Sequence, residues 1–183
     1  MSDAVYQRER LAAAPPALAA RFFGEPDAWW RLNPEWEVLA HEPGRLRVRY
    51  ERSEAEEEWR ILPSEFSDDG GVVVLEGAHP RRIELSWRAL PAGGTALGYR
   101  EAFDAPIEDA RRAELNLWLD AAAGYLALAA RRDRRARLGK WLLDKAWLRM
   151  SPTSRRVGLI IVAMEALALL LFIAVVIVVR FVG

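Results

Sequence analysis

Val157 to Val179 is the stretch that most restricts what this chain can fold into. It runs 23 residues without Lys, Arg, Asp, Asn, Gln or Pro, and its one ionisable residue is Glu165. As a helix it would extend roughly 34 Å, enough to cross a ~30 Å hydrocarbon core with some tilt. Only Arg180 to Gly183 follow it. The expectation is a globular part tethered by a C-terminal membrane helix, residues 155–183.

The charges are partitioned along the chain. Residues 1–130 hold 15 Arg, no Lys and 23 acids; residues 131–156 hold 10 basic residues and 2 Asp. An acidic domain is thus joined to the apolar stretch by a basic collar. Lys and Arg flanking a span favour its cytoplasmic side. The reading is a single-pass protein of the inner membrane with its N-terminal domain in the cytoplasm. The first ten residues contain no apolar core of a secretory signal. The chain has no cysteine, which excludes disulfide and thiolate chemistry. Two Lys against 24 Arg is the bias of a GC-rich, bacterial genome.

Before the collar the pattern changes twice. Val5–Leu11 reads as a strand. Pro15-Pro16 opens a short helix, Ala17–Phe23, which Gly24 stops. A second covers Trp29-Trp30-Arg31-Leu32 and ends at Asn33-Pro34. From Trp36 to Phe103 the period is two. Leu46, Val48 and Tyr50 alternate with Arg45, Arg47 and Arg49; Glu57–Phe66 reads as one strand with Trp59 and Ile61 inward. Asp68-Asp69-Gly70-Gly71 and Pro91-Ala92-Gly93-Gly94 read as hairpin turns.

A long helix follows. Leu115, Trp118, Leu119, Ala122, Leu126 and Ala129 make one apolar stripe, with Arg111, Arg112, Glu114 and Asp120 assigned to the polar side. The class is α+β.

The collar, residues 132–154, reads as a basic amphipathic helix. Its interfacial residues are Arg134, Arg137, Lys140, Trp141, Lys145, Trp147, Arg149, Arg155 and Arg156. Anionic lipid suits it better than nucleic acid, because a membrane-length helix follows directly. Ser154 is placed to cap that helix.

Strand, two short helices, antiparallel meander, long helix: this order, with Pro15-Pro16, Trp29-Trp30 and Pro34-Glu35-Trp36-Glu37-Val38 at their spacings, resembles the SRPBCC superfamily (polyketide cyclase/dehydrase and lipid-transport proteins). The resemblance spans about residues 3–131 and implies a helix-grip, START-like domain with an apolar cavity between a curved sheet and the long helix. It covers lipid carriers, quinone binders, cyclases and hormone receptors, and fold does not choose among them.

On that reading Trp36, Trp59, Trp87, Tyr99, Trp118, Leu119 and Ala122 are cavity-wall candidates, and Trp29-Trp30 borders the mouth. Glu76 and Glu101 are the candidate cavity carboxyls. The favoured reading leaves them in solvent or paired with Arg81, Arg82 or Arg100. No catalytic residue, metal site or cofactor is assigned: His41 and His79 each stand beside a turn and read as surface loop residues, Ser64, Ser67 and Ser86 have no nucleophile motif, and no phosphate loop is present. The leading expectation is a tethered, non-enzymatic binder of a lipid, isoprenoid or quinone. Two other roles fit: an accessory subunit, or a homo-oligomer, joined through the membrane helix and Glu165; or a cyclase/dehydratase-like enzyme.

Overall fold

A computed structural model describes residues 4–25, 27–63, 65–67, 69–77, 81–103 and 106–182. By internal contacts the chain divides into residues 1–149 and 150–183.

In the first unit, strand β1 (Ala4–Ala12) leads into helix α1 (Pro16–Gly24), with Pro16 in its first turn, where the missing amide is no loss. Helix α2 (Asp27–Arg31) follows. The strands are then β2 (Trp36–Glu42), β3 (Arg45–Tyr50), β4 (Glu56–Ile61), β5 (Glu65–Phe66), β6 (Gly70–Glu76), β7 (Arg82–Ala89) and β8 (Thr95–Phe103). They form one antiparallel sheet in the order β1-β8-β7-β6-β4-β3-β2, with β5 beside β6. Helix α3 (Asp109–Ala130) closes the grip.

Period-two alternation sets the inner face. Leu46 and Val48 on β3, Val73 and Leu75 on β6, and Ile83, Leu85 and Trp87 on β7 are buried. Helix α3 answers with Leu115, Trp118, Leu119, Ala122, Tyr125 and Leu126. Each large apolar side chain removed from water contributes about 1.5–3 kcal/mol. The N-terminal edge strand is tied to α3 by polar contacts: the Tyr6 hydroxyl donates to Asn116 at 2.7 Å, and Arg10 pairs with Asp120.

Four local expectations are corrected. The strand expected over Glu57–Phe66 is two strands, because Pro63 lies between them and has no amide to donate. Gly70 and Gly71 lie in β6, opposite Arg88 and Trp87, rather than in the turn. A Cβ on Gly71 would strike the Phe66 ring and stand 2.8 Å from Trp87 Nε1. By contrast Gly93 and Gly94 do turn the chain, with φ of +84° and +90°. Trp29 and Trp30 are buried rather than at a mouth, Trp29 standing ring to ring with Phe22, Phe23 and Trp118. Arg111 and Glu114 turn inward, as described below.

The sequence predicts the basic segment as a separate collar from residue 132. Here its helix α4 (Arg134–Lys145), capped by Asp133, and a 3₁₀ turn, Trp147–Arg149, belong to the first unit. Ala136 and Leu148 are buried, and Leu143 packs on the same core.

The second unit holds helix α5 (Pro152–Val182), long and apolar enough to cross a membrane. Its apolar side chains are exposed. Ser151, not Ser154, caps it: the Ser151 Oγ accepts the Ser154 amide at 3.2 Å.

Candidate functional site

The grip interior brings together residues from every layer. Trp36 on β2 and Trp59 on β4 stand 5.8 Å apart between ring centroids; Trp36 is 5.1 Å from Trp118 of α3, and Tyr99 of β8 is 5.7 Å from Trp118. The Trp118 indole donates to the Trp29 carbonyl at 3.0 Å. Trp36, Trp59, Tyr99 and Trp118 therefore pack against one another in this part of the grip. Trp87, Leu119 and Ala122 are buried as well.

Against these rings lies a buried polar network centred on Glu101. Its register partners across the sheet are Tyr6 and Ile83, both buried, so alternation turns Glu101 inward, where it is 0% exposed. One carboxylate oxygen accepts from Arg81 Nη2 at 2.9 Å and Nε at 3.3 Å. The other accepts the Tyr99 hydroxyl and stands 3.9 Å from Arg111 Nη2. Arg81 also reaches Glu57 at 3.5 Å and lies over the Trp59 ring at 5.2 Å. Glu57 accepts the Tyr50 hydroxyl. Arg111 continues to Glu114 at 3.5 Å, and Arg52 bridges Glu114 at 2.6 Å and Glu35 at 3.5 Å.

The electrostatics follow from burial. Desolvation, then the neighbouring Glu101, pushes the Tyr99 phenol well above its ordinary value. Burial and the hydrogen bond to Glu57 do the same for Tyr50. Desolvation works against the Arg81 charge, but the Glu101 and Glu57 carboxylates outweigh it, and Arg81 is held charged. At neutral pH the site offers two phenols and fixed guanidinium groups. The buried indole N–H groups of Trp36 and Trp59, like those of Trp29, Trp30 and Trp87, have no acceptor among the described residues.

Of the two candidate carboxyls, only Glu101 is in the interior, paired with Arg81 as one of the expected alternatives had it. Glu76 is corrected: it follows the buried Leu75, so it points to the outer face, where it pairs with Arg60. Glu57, Arg111 and Glu114 were missed. Glu57 shares strand parity with Trp59, and Arg111 lies four residues before Leu115 on the buried stripe. Both signals were legible, but a charged residue is ordinarily assigned to solvent.

Of the interfacial candidates, Arg134, Arg137, Trp141, Lys145 and Arg149 are exposed, and Trp147 is half-buried. Lys140 instead turns toward α3, pairing with Asp144 and lying 5.1 Å over the Tyr125 ring. In α5, Arg156 and Glu165 are exposed, and Arg155 Nε donates to the Met150 carbonyl at 3.0 Å. His41 Nδ1 is 3.8 Å from Asp27, beside Trp30; His79 and Ser64 lie outside the described residues.

No protein-family model matches the chain, and no curated protein matches its sequence. Solved structures do match. A Helicobacter pylori protein is 12% identical over 71% of this chain and 89% of its own, with a TM-score of 0.53. A Chromobacterium violaceum protein is 17% identical over 67% of this chain and 97% of its own, at 0.50. A START superfamily protein from Mycobacterium smegmatis is 15% identical over 70% and 97%, at 0.48. At such identities the likeness is one of fold. For the first two it agrees with the antiparallel sheet closed by α3, a helix-grip arrangement.

Proposed function

We propose that this chain is a membrane-tethered binding protein for a hydrophobic small molecule with a hydrogen-bonding polar end, taken into the grip at the Glu101 network. The START-like fold supports a ligand-binding or cyclase-type role. The observation that carries the binding reading is the meeting of two environments inside the grip. Four aromatic rings pack together as an apolar cluster, and beside them stand fixed polar groups, with the indole donors of Trp36 and Trp59 unmatched. Few convergent polar groups on a mainly apolar lining are what orient a small ligand. Buried ion pairs contribute little net stability, so core packing alone gives no reason for Glu101. Arg52 is exposed and Arg81 partly so, and the polar end enters past them. A lipid, isoprenoid or quinone meets these requirements. Binding is favoured over cyclase chemistry because Arg81, Tyr99 and Arg111 already engage both oxygens of Glu101.

The tether is supported by the length, composition and exposed apolar surface of α5, and the cytoplasmic placement of the domain by the basic residues preceding it. Tethering raises the local concentration of a lipid-soluble ligand.

The test is native mass spectrometry of the full chain in mild detergent, with solvent extraction of what it carries. One small apolar molecule per chain, lost in Glu101→Leu and in Trp59→Ala, is expected. An extract without such a molecule, and no saturable quenching of tryptophan fluorescence by an added quinone or isoprenoid, would overturn the reading.

A second reading, assembly through the membrane helix, rests on Glu165. A carboxyl exposed on an apolar helix of this length is costly in lipid unless another helix covers it. Chemical cross-linking in membranes separates the two: complexes that disappear in Glu165→Leu favour assembly.

A further inference from the structure

We infer that the cleft bounded by α1, α2, α3, α4 and the 3₁₀ turn is a second site, which takes one acyl chain of an anionic membrane lipid. The inference rests on the tether proposed above but not on the grip ligand. The cleft has a volume of about 660 Å³, the size of a small-molecule site. It is separate from the Glu101 network. Arg111, at the network, and Tyr125, at the cleft, are 14 residues apart on α3, about 21 Å along the helix.

Its lining has two parts. Leu18, Phe22, Leu126, Ala129 and Leu148 supply an apolar floor, to which a hydrocarbon chain is complementary. The charged rim is mostly self-neutralised. Arg21 lies 3.8 Å from Glu25, Arg31 2.9 Å from Asp27, and Lys140 pairs with Asp144, which also accepts the Tyr125 hydroxyl at 2.8 Å. Arg149 is the exception: its guanidinium has no carboxylate partner among the described residues. What complements this site is an apolar tail with one negative charge.

Two observations point to the bilayer as its source. Arg149 precedes the first residue of α5 by three positions. The outer side of α4 exposes Leu138, Trp141 and Leu142, at 58%, 56% and 48%, among Arg134, Arg137 and Lys145. Apolar and aromatic side chains set among basic ones are the pattern of a helix lying in an anionic interface. The same short segment thus carries both an interfacial face and a wall of the cleft.

The experiment uses the full chain in phosphatidylcholine nanodiscs doped with a phosphatidylglycerol that bears a diazirine at the end of one acyl chain. Illumination should place adducts on Phe22, Tyr125 or Leu126. Ala129→Trp, which fills the floor, should remove them. Arg149→Gln, a surface change with no packing consequence, should lower the yield roughly fivefold, the worth of one cation at an anionic surface. With the same diazirine on phosphatidylcholine, the wild-type yield should already be at the Arg149→Gln level. Adducts confined to α5, or cleft adducts unchanged in both variants, would overturn the inference while leaving the tether standing. A chain that fails to enter the discs would overturn both.

Discussion

Arg81 donates to Glu101 at 2.9 Å across the inner end of the β7–β8 pair, joining a half-exposed guanidinium to a carboxylate with no solvent contact. The pair is the hinge between stability and function in this domain. Glu101 cannot be satisfied by water, and Arg81 also holds Glu57 and covers Trp59.

Removing one partner should therefore be costly. Glu101→Leu leaves Arg81 without its buried partner and takes the acceptor from Tyr99. Breaking a fully buried pair costs about 3–5 kcal/mol, and the partial exposure of Arg81 should reduce this to about 2–3 kcal/mol. Glu101→Gln, which keeps an acceptor for Tyr99, should cost less. Urea unfolding of both variants in detergent checks the order; equal stability of Glu101→Leu and wild type would show that the network is not formed.

Two glycines on the sheet should respond differently to a methyl group. In Gly71→Ala the new Cβ meets the exposed Phe66 ring, which can turn aside, and the buried Trp87 ring, which cannot, so about 1–3 kcal/mol of destabilisation is expected. In Gly98→Ala it meets the Ser86 hydroxyl, which can rotate away, and the stability should change little. Melting temperatures of the two variants measure the difference. A Gly98→Ala protein less stable than Gly71→Ala would contradict this account of the sheet.

Helix α4 begins on Asp133, whose carboxylate accepts the Ala136 amide at 2.8 Å. That hydrogen bond, opposed by slight desolvation and aided by Arg131, holds the Asp133 carboxyl below its usual value. The sign follows: the folded pKa lies under the unfolded one, so the cap is fully present above about pH 4 and is lost as pH falls through the folded value. Fraying of α4 on acidification, read from the Ala136 amide by NMR, should be absent in Asp133→Asn. A cap unaffected by acid in the wild type would remove the assignment.

Truncation tests the anchor. Without residues 150–183 the chain should leave the carbonate-resistant membrane fraction. What binding remains to phosphatidylglycerol vesicles should fall with added salt and in Trp141→Ala, since α4 alone then makes the contact. Retention of the truncated chain in carbonate-washed membranes would show that α5 is not what holds it.

The sequence by itself determined most of the elements and their order. Alternation over Leu46-Val48-Tyr50, the helical stripe from Leu115 to Leu126 and the uninterrupted run to Val179 are local periods, and a local period survives whatever it packs against. Only the tertiary structure decided which charges are inside. Glu76 and Glu101 look alike in sequence, but one follows Leu75 onto the outer face and the other shares its face with Tyr6. Arg111 and Glu114 turn inward because the Glu101 carboxylate of β8 and the Arg52 guanidinium, just past β3, are there to receive them. The sequence reads the collar as wholly interfacial, yet Lys140 lies over the Tyr125 ring of α3, Leu148 joins the core and Ala136 is buried. Those outcomes depend on pairs such as Tyr6 with Asn116, 110 positions apart, and Arg81 with Glu101, 20 apart. Burial of a charge is decided by the partner that meets it in space, and no local pattern encodes that partner.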